Sequence, residues 1–221
     1  YKKASSRIAK RERARRVFAL VFKIGAPIAL LVGLVMLTRA DSLQIKNFEV
    51  EGEQAVSEEH LKNAALSFIS STRFWLLPKS NIFLLGKNEL SDALRSEFGR
   101  IQEADIDKNF LDRSVKISVK ERQSDFLWCS GVGECFFMDN SGLVFEKAPI
   151  DGGLIVFRGV LEGNPLMKEF ATQEKMQKYS EFITAFKEAG FGVGSVDIES
   201  AERGVAATQA GDIIFNPNDA N

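Results

Sequence analysis

Residues 17–38 read VFALVFKIGAPIALLVGLVMLT, an apolar run that only Lys23 and Pro27 interrupt. As an α-helix these 22 residues extend about 33 Å, because each residue rises roughly 1.5 Å along the axis. The hydrocarbon core of a bilayer is about 30 Å thick, so the run is long enough to cross it once. Lys23 lies near one end, where its aliphatic stem can carry the ammonium group to the interface. The sequence therefore predicts a transmembrane helix at residues 17–38.

The charges around this run predict its orientation. Residues 1–16 carry eight Lys and Arg side chains against one carboxylate, whereas only Arg39, opposed by Asp41, directly follows the run. By the positive-inside rule, residues 1–16 form a basic cytoplasmic tail next to anionic lipid, which is favoured over a nucleic-acid-binding arm. The chain from about Ala40 is then extracytoplasmic, and the protein is a single-pass protein of the cytoplasmic (inner) membrane.

A cleaved signal peptide is the main alternative for the apolar run. The apolar region of a signal peptide is about 7–15 residues long and ends at small residues. Residues 17–38 are longer and end in Met-Leu-Thr before Arg39, so they favour a permanent anchor.

The part of the chain beyond the anchor is acidic and contains both cysteines. The first 16 residues contribute a charge of +7, so the whole-chain charge of −1 leaves about −8 for the rest. An acidic exterior argues against a nucleic-acid partner. Cys129 and Cys135 flank a glycine-rich turn on the predicted oxidising side, which favours a disulfide over free thiols. Two thiols without a neighbouring histidine are too few for a structural zinc site.

The hydrophobic pattern after the anchor predicts a small α+β module at residues 41–123. Apolar residues alternate where strands are expected and recur every three or four positions where helices are expected. The order strand–helix–helix–strand–strand places two helices on one face of a three-stranded sheet. The predicted elements are a strand at Leu43–Val50, helices after Ser57 and from Asn88 to before Gly99, and strands at Ile101–Asp107 and Ser114–Glu121.

Residues 124–221 change character and predict a β-rich module with a mixed sheet. Short strands joined by glycine turns are typical of an antiparallel meander. One helix capped by Thr172 and ended by Gly190 interrupts them. We place the domain boundary near Gln123. The predicted elements are strands at Ser124–Cys129, Glu134–Met138, Gly142–Glu146, Val193–Glu199, Gly204–Thr208 and Asp212–Phe215, and a helix at about Gln173–Ala189.

The sequence predicts no catalytic residue, cofactor site, metal site or small-molecule substrate. His60 lies on a predicted helix with no second histidine for a serine-hydrolase arrangement. The glycines of Gly190–Gly194 leave a helix and enter a strand, the reverse of a phosphate-binding loop. Asp105 and Asp107 share one face of a strand, as solvated carboxylate pairs on sheets commonly do. The expected function is therefore binding without turnover.

A basic tail, one span, a POTRA-like module and a β-rich module together resemble the FtsQ/DivIB family of bacterial cell-division proteins. Glu121 and Arg122 resemble the Glu-Arg pair that often ends the family's POTRA module. The likeness is also carried by Ile45, Phe48, Val50 and Gly52 in the opening strand, by Val115, Ile117 and Val119 in the closing strand, and by Asp139, Gly142, Val144 and Phe145 in a turn of the β module. Gln123, Ser124 and Asp125 depart from the family, which usually has a proline there, and the cysteine pair is not a general family feature.

The resemblance implies a bitopic scaffold of the divisome that supports septal cell-wall synthesis. Its implied partners are other membrane division proteins, FtsB/FtsL-like, together with the lipid bilayer. The family's β module usually continues into a further helix and an edge strand that binds partners by strand addition. Because this sequence starts at Tyr1 and stops at Asn221 in a turn-like segment, we expect it to be a piece of a longer protein.

Exposed sheet edges and apolar loop residues are the expected partner contacts, since an extended chain can add to a free edge. The candidate residues are Phe74, Trp75, Ile82, Phe83, Ile213 and Phe215. The first four lie in one loop rich in aromatic residues, for which core packing is the favoured role. Two other functions remain open at this point. One is a membrane-anchored adaptor of a secretion or type IV pilus machine, and the other is an anchored cell-wall enzyme.

Overall fold

The computed structural model describes residues 2–73, 76–131, 133–149 and 153–218, with side chains from Arg15 onward. The chain divides into two compact units, each built from several segments. The first unit comprises Tyr1–Glu51, Glu58–Ser91 and Asp105–Ser118, and the second comprises Gly52–Ser57, Asp92–Ala104 and Val119–Asn221.

The first element is a long helix, α1, at Lys2–Thr38, which contains Pro27. Its 24 residues from Arg15 to Thr38 are long and apolar enough to cross a membrane. No other helix in the described part of the chain meets that criterion. The predicted single apolar helix is therefore confirmed as a candidate membrane span.

The strand predicted at Leu43–Val50 starts later than expected, because the segment after α1 is held by loops. A 3-10 turn occupies Asp41–Leu43. The next backbone N–H groups, of Ile45 and Lys46, donate to the carbonyl oxygens of Ser80 and Arg113 at 2.8 Å. These irregular bonds take the place of a strand ladder, so strand β1 begins at Asn47 and runs to Glu51.

The first sheet has three strands, as predicted for the α+β module, and its spatial order is β1, β5 (Ser114–Glu121), β4 (Ile101–Asn109). β1 runs parallel to β5, with Phe48 opposite Val115 and Val50 opposite Ile117. These four side chains are buried, because alternate residues of each strand face the core. The elements are α2 at Glu58–Ser70, α3 at Lys87–Glu97, β4 at Ile101–Asn109 and β5 at Ser114–Glu121. Between the helices, Thr72–Arg73 (β2) and Leu77–Pro78 (β3) form a small hairpin that the sequence did not predict.

The second sheet is mixed, as predicted. Its first three strands, β6 (Phe126–Cys129), β7 (Cys135–Met138) and β8 (Leu143–Ala148), form the predicted antiparallel meander. The next strand, β9 (Val156–Arg158), pairs parallel to both β6 and β11 (Val193–Ile198), and helix α4 (Gln173–Glu188) lies between β9 and β11 in the chain. A parallel neighbour requires a long crossover, which this helix supplies. The remaining strands are β10 (Lys168–Glu169), β12 (Gly204–Thr208) and β13 (Gly211–Phe215). The sheet order is β10-β8-β7-β6-β9-β11-β12-β13.

The core of the second unit lies between this sheet and α4. Phe157, on β9, is fully buried and its ring contacts Phe126, Phe170 and Tyr179 at centroid distances of 5.1–5.8 Å. Met176, Tyr179 and Ile183 form the buried face of α4 at helical spacing. Thr172 caps α4, with its hydroxyl oxygen accepting from the Lys175 N–H as predicted. Each large apolar side chain buried here stabilises the fold by about 1.5–3 kcal/mol.

Candidate partner-binding edge

Strand β13 is the outermost strand of the second sheet. Its inner side pairs with β12, with Ile213 opposite Ala206 and Phe215 opposite Gly204. Within residues 153–218, no strand pairs with its outer side. An unpaired strand presents a row of backbone N–H and C=O groups to any extended chain that approaches it. This edge is therefore the strongest candidate site for partner binding by strand addition.

Aromatic packing fixes the end of β13. The Phe215 ring stacks on Phe182 at 4.9 Å and contacts Tyr179 edge-on at 6.3 Å. Gly204, directly opposite, leaves the necessary space, since a Cβ there would lie only 2.5 Å from Phe215 Cζ. The side chain of Tyr179 is buried, and this burial raises the pKa of its hydroxyl group. The packing holds β13 at its place in the sheet.

The side chains of β13 make this edge apolar. Ile213 and Phe215 are half-buried against the core, and Ile214, on the opposite face, is 63% exposed. Asp212 is the only charged residue of the strand. Sequence reasoning selected Ile213 and Phe215 but missed Ile214, because only the sheet order shows that β13 is an edge strand.

The other sheet edges are short or charged, which natural proteins commonly use to prevent unwanted pairing. β10, at the opposite edge of the second sheet, has only two residues, Lys168 and Glu169. In the first sheet, β4 has nine residues but exposes several charges. The charged side chains of β4 are Glu103, Asp105, Asp107 and Lys108. Burial, and then repulsion from Lys87, lower the pKa of Lys108.

A polar cluster in the second unit contains two of the motifs that resemble the FtsQ/DivIB family, the Glu121-Arg122 pair and the turn that starts at Asp139. The Glu121 carboxylate accepts from the backbone N–H groups of Gln54, Ala55 and Val56 at 2.8–3.1 Å. Burial of this carboxylate raises its pKa, but the three N–H donors and the charge of Arg100 outweigh that effect. The pKa of Glu121 is therefore lowered, and the ionised carboxylate holds the segment that leads into α2.

The second half of the Glu-Arg pair joins the turn motif of the β module. Arg122 Nη1 lies 3.0 Å from Asp139 Oδ2, and both side chains are largely buried. The other carboxylate oxygen of Asp139 accepts from the N–H groups of Ser141 and Leu143, which shapes the turn around Gly142. Gly142 has φ of +90°, a conformation that glycine adopts without strain. Removing one partner of such a pair leaves a buried charge, so the contact is costly to break.

Arg100 completes the cluster, although sequence reasoning did not select it. Its guanidinium pairs with Glu146 and lies over the rings of Phe137 and Phe145 at 5.1 and 5.4 Å. Gly99 allows this approach, because a Cβ there would lie 2.4 Å from the Phe145 carbonyl oxygen. Nearby, the pKa of Asp125 is raised, mainly because its carboxyl group is partly buried. The Asn140 N–H, which donates to this carboxyl group, lowers the pKa, and repulsion by Asp139 raises it further.

An open polar cleft of about 860 Å³ borders this cluster. Five of its six ionisable side chains take part in the contacts described above, and the sixth, Lys120, pairs with Glu103. These contacts organise the chain around the cleft. Among the described residues, no group of three or more His, Cys, Asp or Glu side chains is placed to hold a metal ion.

The remaining candidate residues have different fates. Ile82 is 1% exposed, so its selection as a partner contact is wrong, since it packs in the core of the first unit. Phe83 is 62% exposed and stacks on Phe110. Phe74 and Trp75 lie outside the described residues. Cys129 and Cys135 are opposite each other on β6 and β7 and are joined by a disulfide.

Residues 43–122 match the family model of the POTRA domain, FtsQ-type. The chain carries an FtsQ-type POTRA domain. The match confirms the predicted α+β module and agrees with the resemblance to the FtsQ/DivIB family. No curated protein matches the sequence of the chain. POTRA domains are protein-interaction modules, and one preceded by a candidate membrane span indicates a membrane-anchored protein that binds other proteins.

Proposed function

We propose that the protein is a bitopic membrane scaffold of the bacterial division machinery, of the FtsQ/DivIB type, that links divisome components for septal cell-wall synthesis. The observation that carries the proposal is the FtsQ-type POTRA domain, which begins five residues after the candidate span ends at Thr38. The scaffold acts through protein contacts and the bilayer, without turnover, cofactor or nucleic acid.

The proposed topology places residues 1–16 in the cytoplasm and the chain beyond the span outside it, in the cytoplasmic membrane. The eight cations of the tail support this orientation. The disulfide between Cys129 and Cys135 also supports it, because disulfides persist in oxidising compartments. The proposed domains are the tail (1–16), the span (17–38), the POTRA-like domain (41–123) and the β domain (124–221).

The proposed partner contact is strand addition at β13 by an extended segment of another membrane division protein, FtsB/FtsL-like. Backbone hydrogen bonds along the strand would give affinity, and the side chains of Ile213, Ile214 and Phe215 would give selectivity. The support is chemical, since β13 is the apolar edge and the other edges are short or charged.

Localisation in dividing cells tests the proposal. We expect a fluorescent fusion to the N-terminal tail of the full chain to form midcell rings that appear with constriction. Polar or scattered foci would instead support a secretion or pilus adaptor and overturn the division role. Affinity purification from detergent-solubilised membranes should recover FtsB- and FtsL-like proteins in stoichiometric amounts.

A separate measurement tests the alternative that the protein is a cell-wall enzyme. Purified full-length protein in detergent should leave peptidoglycan unchanged over long incubation. Release of soluble fragments, lost on substitution of an acidic residue such as Asp125→Asn, would contradict the scaffold proposal.

A further inference from the structure

Exposed apolar side chains concentrate at one end of the first unit. Outside α1, five of its large apolar side chains are exposed among the described residues, and four of them lie in two loops. We call these four the apolar ledge: Leu76, Phe83, Phe110 and Leu111. Leu111 is 94% exposed, and the grouping of four such side chains is informative because clustered apolar side chains mark interaction or membrane surfaces.

The first of these loops is fastened to the end of the candidate span. Asn81 is 2% exposed, and its Nδ2 donates to the Thr38 carbonyl oxygen at 2.8 Å. Its Oδ1 accepts from the Phe83 N–H at 2.9 Å. Gln44 Nε2 also donates to the Thr38 carbonyl oxygen, at 3.1 Å. Asn81 thus links the last residue of α1 directly to Phe83.

The second loop also lies close to the end of the candidate span. Arg113 Nη1 donates to the Asp41 carbonyl oxygen at 2.8 Å, three residues after the span. The Phe110 ring stacks on Phe83 at 5.0 Å. Topology explains this meeting, because β1 starts next to the span, β5 starts beside β1 in parallel, and the turn at residues 110–113 leads into β5. The turn is therefore at the end of the sheet nearest to the span.

The charges around the ledge are mostly positive. Residues 39–46, 76–85 and 108–113 carry five cations and two carboxylates. The cations are Arg39, Lys46, Lys79, Lys108 and Arg113, and the carboxylates are Asp41 and Asp112. Phenylalanine and leucine surrounded by Lys and Arg are typical of surfaces that enter the headgroup layer, where the cations meet lipid phosphates.

We propose that the apolar ledge inserts into the headgroup region of the leaflet from which α1 emerges. The POTRA domain then contacts the bilayer directly and is not separated from it by a flexible linker. This inference rests on the proposed membrane anchoring of α1. The occupant is the phospholipid surface itself, because the ledge is continuous with the end of the span and its neighbouring charges complement lipid phosphate.

Nitroxide labels in the full chain test the ledge. Leu111→Cys, Val160→Cys and Leu31→Cys are each labelled with the native disulfide intact and reconstituted into phosphatidylethanolamine/phosphatidylglycerol vesicles. Val160, 87% exposed in the second unit, is the matched apolar control, and Leu31 reports on the span. Oxygen partitions into the bilayer and a nickel chelate stays in water. We expect the oxygen-to-nickel accessibility ratio at Leu111 to exceed that at Val160 by about threefold or more.

The outcomes separate the ledge from the anchor. If Leu31 is oxygen-accessible but Leu111 behaves like Val160, the ledge proposal fails and the anchor stands. If Leu31 is exposed to the nickel chelate, both fail. A second pair of variants removes dependence on one label. With the label at Lys46→Cys, Leu111→Asp should lower the ratio by about twofold, whereas Val160→Asp should leave it unchanged. An unchanged ratio with Leu111→Asp overturns the ledge.

Discussion

The outer strands β4 and β13 face the same physical problem with opposite side chains. Both lie at the margin of a sheet and have one side without a strand partner in the described residues. β4 is the longer of the two, yet it carries four charged residues, whereas β13 has one charged residue and three large apolar ones. Charges on an edge oppose its pairing with another chain, and apolar residues favour it. The difference is the reason that the proposed contact with an extended partner is assigned to β13 and not to β4.

The largest effect is expected from filling the space opposite Phe215. In Gly204→Val, the new side chain meets the Phe215 ring, which Phe182 and Tyr179 already confine. We expect the free energy of unfolding to fall by about 1–3 kcal/mol, measured by urea denaturation. Gly194→Val is the matched control, because the nearest atom to a Cβ there is 3.9 Å away. Adding Phe215→Leu should recover part of the loss, and no recovery would contradict the packing explanation.

A charge on β13 should weaken partner binding without unfolding the sheet. Ile214→Lys places an ammonium group on the exposed face of the strand, where an added strand would have to desolvate it. We expect the dissociation constant for an FtsB-like partner to rise about tenfold, which corresponds to about 1.4 kcal/mol. Calorimetry with the full chain in detergent measures it. Leu166→Lys, near the opposite edge, is the control, and equal weakening by both variants would remove β13 from the proposal.

Lowering the pH should weaken the contacts of Glu121 at the end of β5 and should leave β13 unaffected. Because the pKa of Glu121 is lowered in the folded state, its stabilisation is present above the ordinary carboxylate pKa and is lost as pH falls through the lower, folded value. We expect Glu121→Gln to lose about 1–2 kcal/mol of unfolding free energy at pH 7. The difference from the native chain should shrink to near zero in strong acid.

Glu103→Gln serves as the control for that pH series, since the ion pair of Glu103 with Lys120 is solvent-exposed. Exposed pairs contribute about 0–1 kcal/mol, so little change is expected. A Glu121→Gln difference that persisted below about pH 2 would contradict the role assigned to the ionised carboxylate.

The smallest effect on stability should come from removing charges from β4. Asp105→Val combined with Asp107→Val replaces two exposed carboxylates, so the unfolding free energy should change by less than about 0.5 kcal/mol. The same change makes β4 an apolar edge, and we expect concentration-dependent self-association in light scattering. Glu181→Val with Glu188→Val on α4 adds the same apolar surface without an edge. Association of both double variants would indicate nonspecific hydrophobic association and would contradict specific pairing through the edge of β4.

Elements with strong local patterns could be predicted from the sequence. The helix capped by Thr172 and ended by Gly190, and the alternating strand Ser114–Glu121, lie where the pattern placed them. Strands β9 and β10 and the hairpin of β2 and β3 were missed. They have two or three residues each, and their pairing depends on distant segments of the chain. Such short strands have no period of their own to detect.

The candidate site was predictable only in part. Ile213 and Phe215 were selected, but the exposed Ile214 was not, because only the sheet order makes β13 an edge. Glu121 and Arg122 were noted by resemblance alone. Their contacts bridge 17 residues to Asp139 and more than 60 to Gln54, and no local pattern encodes such pairings. Ile82 and Phe83 are neighbours with opposite exposure, a distinction that depends on tertiary packing and has no local sequence pattern.

The fastening of Asn81 to Thr38 has a mechanical consequence. Two amide side chains hold the final carbonyl of α1, and backbone bonds from Ile45 and Lys46 bind the following residues to the loops. No slack remains between the helix and the start of β1. If α1 rotates about its own axis within the bilayer, the β1-β5-β4 sheet rotates with it. Helix–helix contacts inside the membrane would thereby set the rotational orientation of the POTRA domain about the axis of α1.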